Sequence, residues 1–322
     1  MSLKRIPRLR FAHLPTPLEP MHRLGAHLGG QPLWVKRDDA TGLAFGGNKV
    51  RKLEYLLAEA QASGARTLLT MGAVQSNQCR QTAAAAARFG FDCILVLRGE
   101  PPARVDGNLL LDHLLGAEIR WAAAQPAEEV LEQTFREAWS AGRRPYKIVY
   151  GASSPVGALG YVAAMAELRE QGETFDRIIV ASSSAGTQAG MIVGARLYGF
   201  AGRITGVSVD RRANDLRQAV AHLAEETSAL LGGRQRFDPE SIDVADDYLG
   251  GGYAVLGAPE IEATRLFARL EGLLLDPVYT ARAAAGMIDM VRGGRIDRAE
   301  RVLFWHTGGG PALFAYGEAL LD

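Results

Sequence analysis

Cysteine stands at only two positions, Cys79 and Cys93. Two are too few for a disulfide framework, and free thiols in a reducing, cytoplasmic compartment are the simplest expectation. Charge of one sign is missing as well: 36 basic residues balance 36 acidic ones, for a formal net charge of zero. That balance speaks against the basic footprint of a nucleic-acid or membrane-surface partner. There is no run of about twenty apolar residues, so no membrane-spanning helix is expected. The basic start Met1-Ser2-Leu3-Lys4-Arg5 has no apolar run behind it and does not read as a signal peptide. The six histidines (13, 22, 27, 113, 222 and 306) lack ligand spacing, and no metal site is expected. A dinucleotide Gly-x-Gly-x-x-Gly fingerprint, a Walker loop and a Gly-x-Ser-x-Gly elbow are all absent. Lysine is scarce too, at positions 4, 36, 49, 52 and 147 only.

What is present is an alternation of short apolar runs and helical patterns. Hydrophobic residues make up 48% of the 322 residues, enough for a substantial core. Strands are expected at 33–37, 67–71, 92–97, 118–121, 147–150, 177–181, 204–209 and 302–305. Helices are expected at 50–63, 80–89, from 106, 127–141, 157–171, 187–198, 211–231, 259–271, 281–291 and at the C-terminus. Residues 232–257 read as irregular and glycine-rich. Continuously apolar strands separated by helices imply parallel sheets covered on both faces. The expected fold is therefore α/β, with two open, mostly parallel sheet domains that meet near 150–155. Ligands of such sheets sit beyond the carboxyl ends of the strands, so the polar loops that follow strands point to one cleft between the domains.

Four of those loops carry candidate chemistry. Gly46-Gly47-Asn48-Lys49 delivers a lysine to the start of a helix whose apolar residues fall at 50, 53, 56, 57 and 60. The partial positive charge of a helix N-terminus favours the neutral, nucleophilic amine that a Schiff base needs. Taken alone, this stretch reads more readily as a capped loop with a solvated lysine; the other loops reverse that. Ser182 to Gln188 is a hydroxyl-rich turn between a buried strand and a helix, suited to a phosphate. Gln75-Ser76-Asn77 offers two amides and a hydroxyl at a strand end, and His306-Thr307 another hydroxyl. Each is also an ordinary capping sequence. Tyr279 and Thr280 follow Pro277 at a helix entrance. A lone lysine, a phosphate cradle and strand-end hydroxyls have one joint reading, a ligand with an aldehyde and a phosphate, and pyridoxal phosphate fits it.

Lys36-Arg37-Asp38-Asp39, Gly46 to Glu54, Gln75-Ser76-Asn77, Ser184 to Thr187, Leu275 to Tyr279 and His306 to Gly309 occur in an order that resembles the D-cysteine desulfhydrases and 1-aminocyclopropane-1-carboxylate deaminases. These are fold type II (tryptophan-synthase-β-like) pyridoxal-phosphate enzymes, and the resemblance spans nearly the whole chain. It implies that Lys49 holds the cofactor and moves the substrate α-proton. It implies that Asn77 bonds the cofactor's phenolic oxygen and that Ser184, Ala185, Gly186 and Thr187 bind its phosphate. Gln75 and Ser76 would hold the substrate carboxylate, with Asn77, Tyr253 and Tyr279 beside the substrate. It further implies a larger domain of 1–45 plus 154–322, a smaller one of 46–153, and a homodimer. In the deaminases a glutamate follows the Pro-Val-Tyr tyrosine and pairs with the pyridine nitrogen. Here Thr280 stands in its place, with Thr307 nearby by motif, which points to β-elimination from D-cysteine. L-cysteate sulfo-lyase and the deaminase are the alternatives, with a non-catalytic phosphate-ligand binding protein as the non-enzyme reading. Many relatives carry histidine where this chain has Gln78, which cannot titrate.

Overall fold

The computed structural model describes residues 3–321. In chain order its strands and helices are β1 (Leu18–Pro20), α1 (His22–His27), β2 (Leu33–Arg37), α2 (Asn48–Ala62), β3 (Thr67–Gly72), α3 (Asn77–Phe89), β4 (Asp92–Leu97), α4 (Gly107–Leu114), β5 (Glu118–Trp121), α5 (Ala127–Ser140), β6 (Pro145–Lys147), α6 (Pro155–Glu170), β7 (Arg177–Ser182), α7 (Gly186–Tyr198), β8 (Arg203–Ser208), α8 (Ala213–Leu230), β9 (Val244–Ala245), α9 (Ala258–Glu271), α10 (Thr280–Arg292), β10 (Val302–His306) and α11 (Gly317–Leu321).

Two sheets form. One has six strands in the order β1-β2-β10-β7-β8-β9, the other four in the order β5-β4-β3-β6. Every pairing is parallel except that of β1 with β2. The strands that pair on both edges are buried along most of their length, their apolar centres flanked by polar or charged ends, as befits strands covered by helices on both faces. No helix is long and apolar enough to cross a membrane among the described residues.

The structure adds β1, α1 and, within the stretch expected to be irregular, the two-residue β9, and in three further places it departs most from the expected bounds. The strand expected at 147–150 ends at Lys147, because Tyr150–Ala152 turns with positive φ at Gly151 (67°) and Ala152 (53°). Helix α3 begins at Asn77, three residues early, since the Ser76 hydroxyl accepts from the Cys79 N–H at 3.2 Å and caps it. The closing segment is mostly a 3-10 helix, Gly310–Tyr316, and becomes α-helical only at Gly317–Leu321.

Helix α2 departs from a simple amphipathic pattern. Its apolar positions are buried as expected, but so are Arg51, Lys52 and Glu54. Burying charges demands partners. Asp38, itself fully buried, accepts from Arg51 Nη2 (2.7 Å) and Nε (2.9 Å), from the Tyr161 hydroxyl (2.6 Å) and from the Trp305 indole (2.8 Å). Glu167 takes the other Arg51 nitrogen at 2.8 Å. These bonds tie α2 to α6 and to the six-stranded sheet.

Register then sets the turn before α2. His306 pairs with Arg37, so β2 and β10 end side by side. The Gly47 N–H donates to the Asp38 carbonyl and the Asn48 N–H to the Thr307 carbonyl, each at 2.9 Å. At Gly46 (φ 61°) a Cβ would stand 2.0 Å from the Asp39 carbonyl oxygen. The close approach and the left-handed backbone both require glycine there.

Candidate active site

The carboxyl ends of strands from both sheets converge on a cleft that opens to solvent. Lys49, Ser76, Asn77, Ser184, Ala185, Thr187, Tyr279 and Thr307 line it, together with Asn48, Gln78, Tyr150 and Ser182. Residues spread over more than 250 positions of sequence thus meet in one place.

Lys49 is the second residue of α2. It keeps part of its surface open to the cleft, yet protein surrounds its amine, and burial lowers its pKa to about 8. Its Nζ donates to the Gly151 carbonyl oxygen at 2.9 Å. One helical turn on, Lys52 is fully buried and donates to the same oxygen at 3.2 Å and to the Ser153 hydroxyl at 3.4 Å. Burial and then the Lys49 charge push the Lys52 amine well below the usual lysine range. No carboxylate lies within ion-pairing distance of either amine among the described residues. Sequence reading passed over Lys52; its place three residues after Lys49 on one helix face was the available signal.

The Ser184–Thr187 turn faces these amines. Ala185 sits at φ 69°, a left-handed conformation that costs a non-glycine residue about 1–3 kcal/mol and marks a built feature. The Ser184 and Ser153 hydroxyls bond each other at 2.8 Å, and Ser153 Oγ accepts from the Gly186 N–H at 3.2 Å. Thr187 Oγ1 accepts from Asn48 Nδ2 at 3.2 Å. Glycine is required at 151, where a Cβ would fall 2.0 Å from Ser184 Oγ. The turn therefore gathers hydroxyls and the free N–H end of the 13-residue α7 beside two amines that lack an acidic partner. That donor set calls for a multiply charged anion, and the phosphate of pyridoxal phosphate fits it.

Other expected residues are placed unequally. Tyr279 lies in the cleft wall with its hydroxyl 2.6 Å from that of Tyr253. Burial pushes both phenols far above their usual range, so both are neutral near pH 7. Thr307 lines the cleft, and its hydroxyl has no protein partner among the described residues. Thr280 does not reach the lining. It is fully buried, and its hydroxyl donates to Asp276 Oδ1 at 2.8 Å. Asp276 also accepts from the N–H groups of Val278, Tyr279 and Thr280, and so caps α10. Gln75 is likewise spent elsewhere: its Oε1 accepts from the Asn108 N–H at 2.7 Å and its Nε2 donates to Asp106. His306 is buried, and its Nδ1 accepts from the Gly308 N–H, so it shapes the loop that presents Thr307. Gln78 lines the cleft, with Nε2 bound to Thr82 and Oε1 unpartnered. No cluster of potential metal ligands occurs among the described residues.

A family model described as "Pyridoxal-phosphate dependent enzyme" matches residues 9–308. The 1-aminocyclopropane-1-carboxylate deaminase of Burkholderia vietnamiensis (strain G4 / LMG 22486) is 41% identical over 343 aligned residues, covering all of both chains. The D-cysteine desulfhydrase of Klebsiella pneumoniae (strain 342) is 42% identical over 325, covering 98% of each. A crystal structure of an ACC deaminase homologue superposes with a TM-score of 0.92 at 38% identity, over 99% of this chain and 97% of that one. The cleft, its anion cradle and these similarities agree: the chain belongs to the pyridoxal-phosphate-dependent enzymes of fold type II, in the group that holds the 1-aminocyclopropane-1-carboxylate deaminases and D-cysteine desulfhydrases.

Proposed function

We propose that the protein catalyses β-elimination on a small amino acid, D-cysteine plus water giving pyruvate, hydrogen sulfide and ammonia. The observation that carries this reading is the composition of the cleft wall: among the described residues no carboxylate lines it, and the unengaged side chain near Tyr279 and Asn77 is the Thr307 hydroxyl. Bound pyridoxal phosphate supplies an electron sink for the substrate α-carbon. A carboxylate beside the ring nitrogen would keep it protonated and deepen that sink; a hydroxyl leaves it largely neutral. The shallower sink suffices when thiolate, a good leaving group, departs from the adjacent carbon. Opening a cyclopropane asks for more.

In this reading Lys49 is the amine that holds the cofactor and moves the α-proton. Lys52, Ser153, Ser184, Ala185, Gly186 and Thr187 hold its phosphate. Asn77 bonds its ring oxygen, and Thr307, rather than Thr280, meets its ring nitrogen. Ser76 holds the substrate carboxylate, and Gln75 supports Asn108 instead. Tyr279, kept neutral and bonded to Tyr253, donates a proton towards the departing sulfur.

The division into 1–45 plus 154–322 and 46–153 is supported by each sheet drawing all its strands from one of these sets. A homodimer is supported by Leu110, Leu114 and Phe314, which lie exposed on the neighbouring α4 and 310–316 segments. A reducing, cytoplasmic setting is supported by the two buried free thiols.

The test is to supply loaded enzyme separately with D-cysteine, L-cysteine, L-cysteate and 1-aminocyclopropane-1-carboxylate and to identify the keto acid. Pyruvate with sulfide from D-cysteine is the expected result. Pyruvate with sulfite from L-cysteate would move the substrate, and 2-oxobutyrate from the cyclopropane would overturn the hydroxyl argument. The deaminase is the second reading, favoured by the 41% identity to one across the whole chain.

A further inference from the structure

Behind the cleft wall lies a fully buried cation that no part of the mechanism uses. Arg80, on α3, is 0% exposed and makes no ion pair among the described residues. Its Nη2 donates to the Gly46 carbonyl oxygen at 2.8 Å, in the turn that carries Lys49. Its Nη1 donates to Asn108 Oδ1 at 2.9 Å and makes a long contact of 3.5 Å with Asn77 Oδ1. Asn108, also fully buried, passes the sequence on: its Nδ2 donates to Asn77 Oδ1 at 2.9 Å and to the Gln75 carbonyl oxygen at 2.8 Å.

The direction of this chain follows from one fact of chemistry. A side-chain amide can present either its oxygen or its nitrogen, but a guanidinium can only donate. Arg80 therefore compels Asn108 to turn its oxygen inward. That leaves the Asn108 nitrogen for Asn77, which must answer with its own oxygen. The Asn77 nitrogen is then the free end, and it has no protein acceptor among the described residues. It lies against Gly309, where even a Cβ would stand 2.7 Å from it. We propose that Arg80 is a positioning residue that, through Asn108, locks Asn77 as a hydrogen-bond donor towards the bound cofactor's ring oxygen and ties that donor to the turn carrying Lys49. The three side chains come from two helices and act as one unit. Two carboxyl groups act on Arg80 through space without bonding it, Asp112 on α4 and Asp276 before α10.

The inference rests on the proposed role of Asn77, and its test separates the two. The readout is the visible spectrum of the bound cofactor, its pH titration and its Kd, measured on holoenzyme for N77A, R80M, R80K, N108A and the R80M/N77A pair. Loss of the donor removes stabilisation of the anionic ring oxygen. R80M and N108A should each shift the visible band towards the near-ultraviolet, as N77A does, and weaken the cofactor on the order of tenfold. R80K, which keeps a donor, should shift it less. R80M should add nothing in the N77A background, because the residues act in series. If R80M does not fold, N108A decides, since it breaks the relay and leaves Arg80 in place. A spectral shift in N77A, with R80M and N108A folded and unchanged, overturns the relay. No shift in N77A removes the reading of Asn77 beneath it.

Discussion

Lys49 and Lys52 donate to one and the same acceptor, the Gly151 carbonyl oxygen, at 2.9 Å and 3.2 Å. Burial lowers the pKa of both amines, and a bound anion would favour their charged forms. Lys49 is the more open of the two and Lys52 the more buried. The more open amine suits the proposed attachment point, and the more buried one the proposed phosphate contact.

Replacing Lys52 by methionine should therefore weaken cofactor binding without removing its attachment point. A hydrogen bond to a charged group contributes about 1.5–3 kcal/mol, or roughly 10- to 100-fold in Kd. Titration of the cofactor-free variant with pyridoxal phosphate checks this, and an unchanged Kd would exclude Lys52 from the phosphate site.

The pKa of Lys49, lowered to about 8 by burial, sets the pH dependence of loading. Only the neutral amine attacks an aldehyde. Uptake by cofactor-free protein should accelerate as pH rises through about 8 and level off above it. The unfolded chain holds a lysine proton up to ~10.4, so the folded state binds fewer protons between ~8 and ~10.4. The cofactor-free protein should accordingly gain stability with pH across that window. A flat uptake rate from ~7 to ~9 would contradict the assigned amine.

Asp112 has the opposite sign. Burial pushes its carboxyl up to about 8, partly offset by Arg80, and neither oxygen has a hydrogen-bond partner. The unfolded chain releases this proton near ~3.9 while the folded protein retains it, so this group costs stability as pH climbs from ~4 to ~8 and adds no further cost above. Besides Arg80, the thiols of Cys79 and Cys93 feel its charge, and burial pushes both well up. D112N should flatten the slope and raise stability at pH ~8 by about 1 kcal/mol or more, measured by urea denaturation. An unaltered slope would mean that Asp112 titrates normally.

At Asp38 the expectation concerns folding. D38N strips the charge that Arg51 faces in a fully buried setting and should destabilise by about 3–5 kcal/mol. Because this network anchors α2, cofactor affinity should fall with it. Chemical denaturation gives the first quantity and cofactor titration the second.

Much of the fold was legible because it rests on local pattern: apolar strands, alternating helices, and a lysine behind two glycines. The strand-end loops also pointed to one cleft, since parallel sheets align their carboxyl ends. What stayed hidden depends on contacts between distant segments. Lys52 read as one more charge on a helix, yet it is fully buried with its amine on Gly151 and Ser153, about a hundred residues away. Gln75 looked like a ligand-facing amide until Asn108, 33 residues on, claimed it. Thr280 and Thr307 were indistinguishable as hydroxyls; Asp276 engages the first, while the second has no protein partner among the described residues. The positive φ angles at Gly151 and Ala152 ended β6 early, and no periodicity signals such a turn.

The most direct measurement maps the attachment point. Borohydride reduction of the loaded protein locks the cofactor onto the amine that carries it, and peptide mapping by mass spectrometry then locates the label. The account predicts a single label on Lys49, lost in K49A and retained in K52M. A label on Lys52, or none on a protein saturated with pyridoxal phosphate, would contradict it.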